Sequence, residues 1–225
     1  MEKLKAFFRK SKDYIVIFVL EFAFIVAAID LYMNIPFNRG NEEIYSPSNV
    51  QECVMTLKYD AAKCALVNEV DEYIKGVAPF SSLDGYVVAE ECLKNSIDVC
   101  FVLAQGEQES HFGTTGLARK TNSVFNVYAF DGLKHEEISP KGKYEHPNYS
   151  VSAYISLLKS DYLVDGKTEY DLMENGGYVN RNGARYASSE TYERSLYEKF
   201  AKIKTSTKID SLCQEVNKYK LFLGL

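Results

Sequence analysis

Tryptophan is absent from the 225 residues, and histidine occurs three times. His111, His135 and His146 do not form a metal-ligand spacing, so no metal site and no cofactor are expected. A cationic surplus is also missing. The chain has 26 Lys and Arg against 31 Asp and Glu, a net charge of −5, so nothing suggests a nucleic-acid partner. No internal repeat and no low-complexity segment is found. Cysteine is sparse and odd in number: Cys53, Cys64, Cys92, Cys100 and Cys213. In an oxidising compartment at least one of them is free or pairs between chains. If Cys53 and Cys64 share a helix they stand ~16 Å apart, beyond disulfide reach. Buried free thiols are therefore the expectation for most of the five.

What the chain does have is apolar mass, 46% of its residues, with 17 Tyr and 13 Phe. That is enough for a sizeable core, and most of these rings belong in it. Residues 1–13 form a basic flank with Lys3, Lys5, Arg9, Lys10 and Lys12. Residues 14–33, "YIVIFVLEFAFIVAAIDLYM", are long enough as a helix to cross a hydrocarbon core of ~30 Å. The cationic flank places Met1 in the cytoplasm and the main domain outside, with the anchor as a route to oligomers. Glu21 within the run needs a partner helix or a proton. Cleavage as a signal peptide near Ala27 and Ala28 is the rival reading. Residues 34–48, rich in Pro, Gly and Asn, read as a linker, and residues 49–225 as one domain.

Within that domain helical spacing recurs from Val50 to about Lys75, through Val54, Leu57, Ala61, Ala65, Val70 and Tyr73. A second helix follows, capped by Ser81 or Ser82, and Ser96 is placed to cap a third opening at Ile97. "SVSAYISLLKSDYL" and "SSETYERSLYEKFAKI" return to helix, and the tail has weak helical character. "DGLKHEEISPKGKYEHPNYS" lacks helical periodicity and suits a small β or irregular lobe. The fold class is mainly α.

The stretch "FVLAQGEQESHFG" concentrates the chemistry. A helix over Ile97–Phe112 is apolar nearly all round, hence buried, with Gly113 as its stop. Glu107 and Glu109, about 200° apart on such a helix, cannot both face one cleft. The Glu that enters a cleft loses water, which suits a general acid working near neutral pH.

"AQGEQESHFGTTGLARKTNSVFNV" resembles the glucosaminidase domain of glycoside hydrolase family 73, peptidoglycan-cleaving enzymes of lysozyme-like α+β fold. Ala104, Gln105, Glu109, Ser110 and Gly113 match that family's pattern in register, and Asn122 and Phe125 match its second block loosely. "GGYVNRNGARYASSETYERSL" is similar to its closing segment, with Tyr186 and Tyr192 on the family's tyrosines. The likeness covers roughly residues 84–204. Phe112 stands for the usual Trp, Asn126 for a Gly, and Ser189 for a common Asp.

The resemblance implies a glycoside hydrolase acting on peptidoglycan strands as an endo-β-N-acetylglucosaminidase, with Glu109 as general acid. It puts a second carboxylate on a downstream lobe, with Glu136, Glu137 and Glu145 as candidates and Glu137 favoured by register. A base acting through water gives inversion, and assistance by the substrate's N-acetyl group gives retention. Ser110, Phe112, Asn122, Phe125, Tyr186 and Tyr192 are the implied substrate-binding set. A muramidase or lytic transglycosylase on the same fold, or a non-catalytic glycan-binding envelope or virion protein, are the other readings. An amino-terminal anchor suits a bacterial envelope protein or a phage protein acting there.

Overall fold

The computed structural model describes residues 47–128 and 134–225, with side chains from Gln51 onward. The basic flank, the proposed anchor at 14–33 and nearly all of the linker lie outside the described residues. No helix among the described residues is long and apolar enough to cross a membrane. The chain divides into Met1–Val50 and Gln51–Leu225; the second unit is the one described below.

Eight α-helices make up the described architecture: α1 Pro47–Val77, α2 Gly85–Asn95, α3 Val99–Ser110, α4 Ala118–Thr121, α5 Pro147–Leu157, α6 Glu169–Met173, α7 Tyr192–Ser206 and α8 Ile209–Leu223. A π turn, Leu158–Tyr162, prolongs α5. The domain is mainly α, as its sequence pattern implies. β structure among the described residues is limited to one isolated antiparallel bridge, Val179 with Arg185. The expected lobe is irregular rather than stranded. Its described part holds two short 3₁₀ turns, His135–Glu137 and Pro140–Gly142.

α3 is the axis of the domain. Every residue from Val99 to Glu107 is buried, as expected of a helix apolar nearly all round. α7 packs on it most extensively, with α2 and α8 also against it. The core face of α1 is Ala62, Leu66, Val70 and Ile74, a strict four-residue spacing. The expected stripe is met only at its end, where Val70 is buried and Tyr73 packs against the core; Ala61 and Ala65 are exposed, and so are Val54 and Leu57. α1 is apolar on more than one face, and spacing alone did not separate them over its first half.

Helix starts also differ from the serine caps expected. Asp84 caps α2 by accepting from the Tyr86 amide at 2.9 Å. Asp98 caps α3 by accepting from the Cys100 amide at 2.8 Å. Either carboxylate is as good a cap as serine, worth about 1 kcal/mol. Ser96 instead ends α2 in left-handed backbone, with its amide on the Cys92 carbonyl. Ser81 turns inward: its Oγ donates to the Phe112 carbonyl at 2.7 Å.

The cysteines are all free, with Cys92 and Cys100 buried, Cys213 half-buried, and Cys53 and Cys64 exposed. Burial pushes the Cys213 thiol up to about 12 and raises Cys92 and Cys100 as well. These three are inert packing groups at neutral pH.

Candidate active site

α3 stops earlier than the glycine signal suggests. His111 already has φ 45°, Phe112 φ 54° and Gly113 φ 82°, three consecutive residues in the left-handed region. The His111 and Phe112 amides bond back to the Gly106 carbonyl. This reversal folds the Phe112 ring under its own helix, where it meets Tyr73 edge-on at 6.1 Å. Gly106 makes the approach feasible, because a Cβ there would stand 3.1 Å from the Phe112 ring and 3.3 Å from Val124.

Ser110 joins the two halves of the motif. It is 1% exposed; its Oγ donates to the Val124 carbonyl at 2.6 Å and accepts from the Gly113 amide at 2.7 Å. Phe125 is equally buried and stacks on Tyr154 at 4.0 Å. Tyr186 stacks on Tyr178 at 4.5 Å and donates to the Phe125 carbonyl at 2.6 Å. Tyr192 lies 6.0 Å beyond Tyr186. An aromatic layer thus runs from the second motif block to the closing segment and aims the Tyr192 hydroxyl at α3.

Glu109, in the last turn of α3, receives that hydroxyl on Oε1. Gln105, one turn earlier on the same face, donates from Nε2 to the Tyr192 oxygen at 2.5 Å and to Glu109 Oε1 at 3.4 Å. Asn126 donates from Nδ2 to Glu109 Oε2 at 3.1 Å and to its backbone carbonyl at 3.0 Å. Burial, then the neighbouring Glu109 charge, holds the Tyr192 phenol well above its ordinary range. Tyr192 therefore remains a donor at neutral pH. The site is a half-buried carboxylate at the C-terminal end of a helix, where negative charge is disfavoured. Three donors from three segments offset that.

Glu107 lies elsewhere, as helical geometry requires. Its Oε1 accepts from Lys199 Nζ at 2.7 Å and its Oε2 from the Tyr73 hydroxyl at 2.5 Å. Burial pushes its carboxyl up, but Lys199 and Tyr73 outweigh this and leave it below the ordinary value. It is a structural ion pair tying α1, α3 and α7, not a solvated helix-end residue.

Asn122, at φ 55°, donates to the Tyr144 and Glu145 carbonyls at 2.9 and 3.2 Å. It closes the base of the lobe. Glu136, Glu137 and Glu145 are all exposed, and Glu137 Oε2 accepts from its own turn's Lys134 amide at 2.7 Å. Among the sequence-predicted residues, then, Glu109 and Tyr192 are in direct contact. Ser110, Phe112, Phe125 and Tyr186 are packing and hydrogen-bonding supports behind them.

Gln105 and Asn126 were not in the predicted site set. The four-residue spacing of Gln105 and Glu109 was a usable signal. Among the described residues no group of three or more His, Cys, Asp or Glu comes together as a metal site.

A family model described as glucosaminidase, mannosyl-glycoprotein endo-beta-N-acetylglucosaminidase, matches residues 86–210, more than half of the chain. The chain belongs to the glucosaminidase family. It is of the glycoside hydrolase family 73 type, which makes it a glycoside hydrolase by descent. The glucosaminidase match begins in α2 and ends at the start of α8, so it includes α3, the lobe and the Tyr192 segment. No curated protein matches the chain at a significant level.

Proposed function

We propose that this domain hydrolyses peptidoglycan strands as an endo-β-N-acetylglucosaminidase, with Glu109 as the general acid. The observation that carries the reading is the convergence on Glu109. Tyr192 from the closing segment, Gln105 from the first motif block and Asn126 from the second all donate to it. No comparable set of neutral donors surrounds Glu107, which is committed to Lys199.

Glycoside hydrolysis needs a proton delivered to the leaving oxygen while positive charge develops at the anomeric carbon. Glu109 supplies the proton; Tyr192 and Asn126 then stabilise the carboxylate left behind. Glu137 is the proposed second carboxylate. Its bond to the Lys134 amide is exposed and is released at low cost on closure. A substrate-assisted route through the N-acetyl group is the second reading, favoured by that same engagement of Glu137 with its own turn.

The domain is proposed to act outside the cytoplasm, held by residues 14–33, on the envelope of a bacterium or as a phage protein acting there. The lysozyme-like form of the fold belongs to this proposal as well. Digestion of purified peptidoglycan, followed by mass analysis, tests it. Reducing N-acetylglucosamine ends are expected. Reducing N-acetylmuramic acid would indicate a muramidase and 1,6-anhydro ends a transglycosylase. Binding without cleavage would leave a glycan-binding protein. A parallel incubation with a high-mannose glycoprotein is expected to leave its glycans intact.

A further inference from the structure

Asn126 occupies a position where the family pattern has glycine, and its backbone keeps the glycine conformation at φ 50°. Left-handed backbone is strained for most side chains, and Asn is among those that tolerate it. The side chain gained by this exchange reaches Glu109 twice, at the carbonyl and at Oε2. Orientation of the amide is unambiguous on chemical grounds. Reversed, it would set an oxygen against two oxygens of Glu109. Its own Oδ1 is buried without a hydrogen-bond partner among the described residues, so the group is held by what it donates.

The Asn126 backbone is fixed independently. Its amide donates to the Ser123 carbonyl at 3.1 Å, and the adjacent Phe125 is locked by Tyr154 and Tyr186. A glycine here could make the turn but could not reach the carboxylate. Gln105 and Tyr192 engage Oε1, whereas Asn126 is the side chain that donates to Oε2.

We propose that Asn126 is a positioning residue for Glu109, fixing the rotamer of the acid and stabilising its ionised form through Oε2. This rests on the reading of Glu109 as the general acid. The groups facing Glu109 include Gln105 on α3, Tyr192 on α7, Asn126 on the second block, and Tyr178 and Tyr186, which feel its charge.

The test is Asn126→Gly, which restores the usual family residue and suits the positive φ. A general acid works protonated, so its ionisation sets the alkaline limb of the rate profile. Removing a donor to the carboxylate disfavours that ionisation, so the limb moves to higher pH, by about one unit. The kcat at the optimum is expected to fall about tenfold, with KM nearly unchanged, as orientation is lost. NMR titration of labelled glutamate carboxyls in the free wild-type and Asn126→Gly proteins reads the same shift without turnover. The proposal thus stays testable even if the bond cleaved differs from the one proposed. An unmoved alkaline limb and an unmoved Glu109 titration, whatever the rate, would overturn it and leave Asn126 as a turn residue.

Discussion

The Tyr192 hydroxyl donates to Glu109 across 83 residues of sequence. It accepts from Gln105 at the same time, so its donor and one acceptor site are both used. Such chains strengthen each member. Tyr192→Phe removes the middle link and leaves a buried Gln105 donor short of a partner. The expected cost is about 1–3 kcal/mol of stability, and kcat/KM falls about 10–100-fold with the lost charge-assisted bond. Thermal unfolding and initial rates on peptidoglycan check the two parts. Wild-type rates from a folded Tyr192→Phe protein would remove Tyr192 from the acid's support.

The two glutamates separate function from stability. Glu109→Gln keeps the donors partly satisfied, so the fold survives while the rate drops by about 10²–10⁴, the range for general catalysis. Glu107→Gln is expected to act on the fold instead, costing about 1–3 kcal/mol because Lys199 and Tyr73 lose a charged partner.

The pH dependence of the Glu107 contribution follows from its depressed carboxyl. Its stabilisation is present above the ordinary glutamate value of 4.5 and is lost as pH falls through the lower folded value. Urea midpoints at pH 7 and pH 3 should therefore differ less in Glu107→Gln than in wild type. An equal difference would mean the ion pair contributes nothing to acid stability.

Gly106→Ala tests the turn beneath the acid. The added methyl would meet a Phe112 ring that is 1% exposed and whose carbonyl is held by Ser81. Overpacking costs of about 1–3 kcal/mol should exceed the helix-propensity gain of about 1 kcal/mol. The variant is expected to melt earlier; a higher melting temperature would show that Phe112 yields.

Glu137→Gln, with Glu136→Gln and Glu145→Gln as controls, decides the second carboxylate. A fall of about 10²–10⁴ for Glu137 alone is expected if it is the base. Full activity of all three variants would favour the N-acetyl-assisted route. Loss in one of the controls instead would move the base to that residue.

What the sequence allowed one to read depended on locality. α3 was legible because a run apolar on every side has few places to go, and the opposed faces of Glu107 and Glu109 follow from 3.6-residue geometry alone. The choice between them came from motif register. The reason Glu107 is paired was not legible, because Lys199 lies 92 positions away on a helix whose rotation only packing sets. The α1 stripe was right at Val70 and Tyr73 but misplaced before them for a related reason: propensity makes a helix, but its neighbours choose the buried face. Caps were misassigned because Ser and Asp compete as equals at that position. Phe125, proposed from the resemblance as a substrate contact, is fully buried behind Glu109, a placement that sequence register does not reveal; Tyr186 is partly buried beside it.

The clasp at the base of the lobe has a further consequence. Tyr144 donates its amide to the Thr121 carbonyl at 2.8 Å, and Asn122 grips the next two carbonyls. The two ends of the segment therefore meet before its contents matter. A doubling of a loop closed in this way costs only about 0.6 kcal/mol in chain entropy. Residues 134–137 are exposed or half-exposed, so they can be lengthened, shortened or swapped while Val124, Phe125 and Asn126 keep α3 and its glutamate in place. The proposed proton donor and the proposed water activator thus sit on separately inheritable parts of the chain, one held by the core and one on an exposed turn.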